Sequence, residues 1–129
     1  MPTAVLLIAH GSRRPAANAD LLRLADILRA DGHYPQVEAA FLEIAEPTIP
    51  AAAAAAVTRG ADRVLMLPYF LAAGEHVVRD LEMHRQSLAA SYPNCSFVLC
   101  PPLGLHPLLV DVVRERLRDG EADRPTGTT

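Results

Sequence analysis

Cysteine is scarce in this sequence: Cys95 and Cys100 are the only two in 129 residues. Five residues apart in one apolar segment, they fall on opposite faces of a strand, which argues against a disulfide between them. Basic residues are not in excess. Twelve Lys and Arg stand against fifteen Asp and Glu, a net charge of −3, and this balance disfavours a nucleic-acid binder. No apolar run reaches the roughly eighteen residues of a membrane span, and no basic leader with a cleavage site opens the chain. A cytoplasmic protein with no membrane partner is the expectation. Aromatic residues make up 5% of the chain and tryptophan is absent, so the adjacent pair Tyr69 and Phe70 stands out.

What is present is half hydrophobic and 21% charged, an ordinary globular composition. A chain of this length makes one domain and buries roughly two thirds of its unfolded surface. It needs neither disulfide nor metal to fold, so a metal would serve function.

Thr3 to Ala9 is a continuous apolar run ended by a polar turn, the pattern of a strand buried on both faces. From Ala16 to Asp31 the residues Leu21, Leu24, Ala25, Ile27 and Leu28 form the stripe of an amphipathic helix, with Gly32 as its stop. The unit then recurs. Val37 to Leu42 reads as a strand, and Thr48 as the N-cap of a helix through Arg59 with Pro50 harmless in its first turn. The alanine run 51–56 is read as a helix packed closely on a sheet. Arg63 to Pro68 is a third strand, Glu75 to Ser91 a helix, Ser96 to Cys100 a fourth strand, and Pro107 to Asp119 a last helix. Strands alternating with helices imply right-handed crossovers and a parallel sheet covered on both faces. The expected fold is α/β, one doubly wound domain over 1–119 with a four-stranded parallel sheet, followed by a flexible tail over 120–129.

In such a sheet the loops leaving the strands' carboxyl ends open on one edge, where ligands bind. His10 follows the first strand, Glu43 the second, His76 the loop after the third and His106 the loop after the fourth. The first three are 33 residues apart in each case, about one strand-helix unit. Two imidazoles and a carboxylate are donors suited to a first-row divalent ion, and three protein ligands leave positions open for exchange, as a working metal site requires. Each residue alone has an ordinary explanation: His10 caps a strand, Glu43 is a solvated loop carboxylate, His76 lies in a helix's first turn. Their equal spacing on one edge favours function. His33 and His84 lack the pattern and read as surface residues.

The loop His10-Gly11-Ser12-Arg13-Arg14-Pro15 carries a glycine that lets backbone approach a ligand, a hydroxyl and two guanidinium groups, with a helix N-terminus behind them, a set suited to an anion. Solvated loop charges are the plain alternative for Arg13 and Arg14. Tyr69 to Gly74 sets apolar residues beside His76, forming either the wall of a large flat ligand or an interface. Glu75, Arg79 and Asp80 read as the polar side of the next helix.

Taken together, AHGSRR at 9–14, FLE at 41–43 with Pro47 following, LPYFLAAGEHV at 67–77 and PPLGLHP at 101–107 resemble the small class II tetrapyrrole chelatases, the sirohydrochlorin cobaltochelatase family of short CbiX-type proteins. The resemblance spans nearly the whole chain. It implies ATP-independent insertion of a divalent metal, cobalt first and iron or nickel as relatives' choices, into sirohydrochlorin, with the metal as substrate and no tightly bound cofactor. His10 and His76 match the family's paired functional histidines, and Glu43 the acidic residue that joins them at the metal. His106 matches a position to which no role is assigned. Longer relatives carry two such domains, so a homodimer is implied. Asp80-Leu81-Glu82-Met83 departs from the Asp-Ile-Pro-like sequence of many relatives, which bears on helix geometry.

On this reading His10, Glu43 and His76 hold the ion, the histidines take up pyrrole protons, Ser12, Arg13 and Arg14 anchor the carboxylate rim, and Tyr69 and Phe70 pack on the ring. Two other classes compete. A histidine phosphatase would use His10 as nucleophile, but its motif has arginine just before the histidine, where this chain has Ala9. A metal or tetrapyrrole carrier would use the same edge without turnover.

Overall fold

A computed structural model describes residues 2–123. The elements run β1 (Thr3–Ala9), α1 (Pro15–Ala30), β2 (Gln36–Phe41), α2 (Ile49–Thr58), β3 (Arg63–Pro68), α3 (Glu75–Ser91), β4 (Ser96–Leu99) and α4 (Pro107–Ala122). The strands form one parallel sheet in the order β2-β1-β3-β4. The alternating units expected from the sequence are therefore all present, with ends shifted by a residue or so at several elements. The larger shift is at α4, which continues through Gly120 to Ala122, where a tail was expected from residue 120. A glycine in a last helical turn costs only about 1 kcal/mol. The rest of that expected tail, 124–129, lies outside the described residues. Among the described residues, no helix is long and apolar enough to cross a membrane.

β1 is central and apolar on both faces, because each face of a parallel sheet must be covered. On one face Ala4, Leu6 and Ile8 join Val64, Met66 and Phe97 beneath α2 and α3. On the other, Val5 and Leu7 join Val37, Ala39 and Phe41 beneath α1. The alanine run behaves as expected: Ala52, Ala53 and Ala56 are buried, their small side chains letting α2 approach the sheet. The Thr48 side chain caps that helix by accepting from the Ala51 N–H at 3.3 Å. α3 runs unbroken through Asp80-Leu81-Glu82-Met83, burying Leu81 in the core.

Coverage is incomplete in one place. α1 packs on β1 and β2, whereas among the described residues the same face of β3 and β4 has no helix of its own, and α4 contributes no buried residue. Val98, on that face by strand alternation, is exposed.

Both cysteines are free. Burial pushes the Cys95 thiol up, with the Asp62 carboxylate adding to it, and burial alone pushes up that of Cys100. A thiol pKa raised by folding means that the folded chain holds its proton longer. The associated stability is full below the ordinary thiol range near pH 8.5 and is lost as pH rises through the folded values. Urea midpoints are expected to fall as pH rises above about 8.5 in the native chain, and to fall less when both cysteines are serine; equal slopes would contradict the assignment.

Candidate functional site

The carboxyl edge of the sheet is built by strand pairing that continues past the strands. The Leu42 N–H donates to the Ala9 carbonyl at 2.9 Å and the Glu43 N–H to the His10 carbonyl at 3.0 Å, while the Tyr69 N–H donates to the Ile8 carbonyl at 2.7 Å. The backbones at His10, Glu43 and Tyr69 are thus pinned together although they come from three separate loops. The His10 ring meets the edge of Phe70 with centroids 5.1 Å apart, and Phe70 packs down onto the core beside it.

Gly11 is required here for two reasons. Its φ is +97°, and a Cβ on it would lie 1.9 Å from the Glu43 carbonyl oxygen. The loop after β2 thus leans directly on the backbone of the loop after β1. That second loop is itself tightly wound: Ile44 has φ +72° and the Ala45 N–H donates to the Glu43 carbonyl at 2.8 Å. This is a γ-turn with a β-branched residue at its strained centre, a conformation kept where surrounding structure over-determines it.

Ser12 is held on several sides. Its N–H donates to Asn18 Oδ1 at 2.9 Å, the Asn18 Nδ2 donates back to the Ser12 carbonyl at 2.8 Å, and its hydroxyl accepts from the Arg14 N–H at 3.0 Å. The sequence reading missed Asn18. An asparagine in the first turns of a helix, where it is a weak helix former, was the available signal. Arg13 and Arg14 are exposed, and neither is in an ion pair with another described residue. If they receive an anionic ligand, the double charge reversal Arg13→Glu/Arg14→Glu should raise KM for a carboxylate-rich tetrapyrrole about tenfold or more while changing kcat less. Steady-state kinetics at low salt would show it, and an unchanged KM would remove the arginines from the site.

His76 lies in the first turn of α3 and is exposed, beside a Glu75–Arg79 pair at 3.5 Å that forms the expected polar face. Tyr69 and Leu71 are exposed on the loop before it. His106 receives a structural role: its Nδ1 accepts from the Leu108 N–H at 3.1 Å and caps α4. Between the loop after β3 and the start of α4 lies an apolar groove of about 450 Å³ lined by Leu71, Ala72, Gly104, Leu105 and the first turns of α4. Leu105 had not been singled out in the sequence, yet it is 90% exposed at this edge. His33 is exposed and stacks edge-on against Tyr34, and His84 is half-buried on α3.

The expected metal set is not assembled as a cluster. Among the described residues, no three His, Cys, Asp or Glu side chains come close enough to hold one metal ion. The physical reason is local: the His10 ring is turned onto Phe70, and Glu43 is exposed on the strained turn. Backbone pairing brings the loops after β1, β2 and β3 to one edge.

A family model described as CbiX matches residues 4–120. The sirohydrochlorin ferrochelatase of Arabidopsis thaliana chloroplasts is 35% identical over 125 residues, covering 92% of this chain and 56% of that protein. The sirohydrochlorin cobaltochelatase of Sulfolobus acidocaldarius is 33% identical over 112 residues, 87% of each chain. Among solved structures, the sirohydrochlorin chelatase SirB of Bacillus subtilis subspecies spizizenii in complex with cobalt superposes with a TM-score of 0.86 at 29% identity, over 92% of this chain and 51% of that one. The chain thus spans about half the length of several curated relatives it matches.

Proposed function

From the membership of this chain in the CbiX family, we propose that it is an ATP-independent chelatase that inserts a divalent ion into sirohydrochlorin, working as a homodimer. Cobalt is the proposed ion, with iron(II) and nickel as its competitors, and cobalamin or sirohaem-type synthesis the setting. The observation that carries the reading is the carboxyl edge itself: His10 on the loop after β1 and His76 in the first turn of α3 are exposed, beside arginines that form no ion pair with another described residue and an exposed apolar wall.

Metal insertion requires the ion to shed water, to meet the macrocycle, and to replace two pyrrole protons. Imidazole suits both tasks, as a borderline ligand and as a base that titrates near neutral pH. His10 and His76 hold the ion and, as it leaves them for the ring, their freed nitrogens accept the two displaced protons, while Glu43 contributes negative charge that favours a divalent ion. The acetate and propionate rim of sirohydrochlorin would meet Arg13 and Arg14, charge-assisted partners for carboxylates. Its apolar face would lie on Tyr69, Phe70 and Leu71.

The test is anaerobic metal insertion followed in the visible spectrum at substoichiometric protein, with each ion in turn. Multiple turnovers above the spontaneous rate are expected. Stoichiometric binding without turnover would assign a carrier instead.

A further inference from the structure

Asn18 stands among alanines in the first turn of α1, in the run Pro15-Ala16-Ala17-Asn18-Ala19. Alanine is the stronger helix former at such a place, and α1 begins without a side-chain cap, so neither helix propensity nor capping accounts for the asparagine. Its amide instead reaches back six residues. Oδ1 accepts from the Ser12 N–H at 2.9 Å and Nδ2 donates to the Ser12 carbonyl at 2.8 Å. One side chain thus satisfies both backbone groups of one residue, as a paired strand would. This two-point hold fixes the orientation of Ser12 as well as its place.

The loop after β1 is held at both ends. Upstream, the His10 carbonyl accepts from the Glu43 N–H at 3.0 Å and Gly11 lies against the Glu43 carbonyl. Downstream, Asn18 ties Ser12 to α1. Next to this tie stand the groups that would receive the carboxylates of the substrate. The Ser12 hydroxyl accepts from the Arg14 N–H at 3.0 Å, which sets its oxygen, while no hydrogen bond to another described residue uses its own proton. Arg13 and Arg14 are exposed, with their guanidinium groups available to an anion. We propose that Asn18 is a positioning residue for tetrapyrrole binding. Acting through Ser12, it holds the hydroxyl and the two arginines where they meet the carboxylate rim, and so orders the loop before the substrate arrives. A loop ordered in advance loses less freedom on binding, and the difference appears as affinity. The inference rests on the chelatase reading, whose substrate supplies the carboxylates, and adds to it a residue that acts without touching that substrate.

Asn18→Ala tests it, with Asn18→Leu, close to asparagine in size but lacking the amide, as the second variant should the first not fold. Both residues favour a helix, and Ser12 is only half-buried, so water can reach the groups released and circular dichroism and melting should match the native chain. KM for sirohydrochlorin should rise about tenfold, the effect of losing one charge-assisted contact, with kcat at saturation within about twofold of native. Metal-free binding, followed by absorbance, should weaken by the same factor. Native affinity should fall as salt is raised and the variant's should fall less, because the contacts disturbed are those that salt screens. An asparagine that only supports the fold would lower the melting temperature or the active fraction and leave KM and its salt dependence unmoved. That result would overturn the role, as would a fall in kcat at unchanged KM. A native chain that binds sirohydrochlorin without turnover removes the chelatase and still tests Asn18 through the binding constant, whereas one that neither binds nor metallates it removes both.

Discussion

Alanine in place of His10 is expected to lower the rate of metal insertion by about 10²- to 10⁴-fold, the range that loss of a positioned acid-base group produces. The position argues for an effect on chemistry more than on folding. His10 is exposed, and its backbone carbonyl, which fixes the Glu43 N–H, is kept in the variant. The ring contact with Phe70 at 5.1 Å is lost, but Phe70 remains packed on the core. Melting temperature should therefore change little while kcat falls. Glutamine at the same position, which retains an amide but no base near neutral pH, should stay slow. Rates of His10→Ala within a few-fold of the native chain would mean that the proton is taken elsewhere, with His76 the next residue to replace.

Gly11→Ala is expected to be among the most destabilising single substitutions in the chain, on the order of 3 kcal/mol. A methyl group there would fall 1.9 Å from the Glu43 carbonyl oxygen at a backbone φ of +97°. Neither loop yields easily. The loop after β2 is held by the Ile44 turn and by the Phe41 N–H donating to the Pro47 carbonyl at 2.9 Å, and the loop after β1 is held by the Ser12–Asn18 pair. Urea unfolding would measure the loss. A change below about 1 kcal/mol would show that the two loops part readily. Activity should fall with stability, since the substitution drives Glu43 away from His10. Gly32→Ala offers the contrast: it also has positive φ, but nothing lies within 4 Å of its added Cβ, so only the backbone cost of a left-handed conformation applies.

How much of this was legible beforehand differs from element to element. β1, β3 and α3 carry their limits in the sequence, because the apolar run of β1 ends at a polar turn, that of β3 ends at Pro68, and the stripe of α3 begins just after Gly74. Thr48 declared its cap by residue type alone. The roles of Asn18 and His106 were less accessible. Both depend on where a side chain turns once the chain is folded: Asn18 back onto Ser12, and His106 onto the N–H of Leu108. The steric need for Gly11 was half legible. Its type suggested a close approach, but the partner it approaches is the backbone of Glu43, 32 residues further on.

The sequence by itself determined the alternation of strands and helices, hence the parallel sheet and the edge on which His10, Glu43 and His76 emerge. Periodicity and turn residues are local properties, and the chirality of crossovers turns them into topology. The tertiary structure decided how those residues stand toward one another. It pinned the backbones of His10, Glu43 and Tyr69 together, left the side chains of His10, Glu43 and His76 short of a three-ligand cluster, and sent α4 away from the sheet that its sequence suits. These outcomes hang on hydrogen bonds between loops distant in the chain and on a surface left uncovered, and neither leaves a period in the sequence.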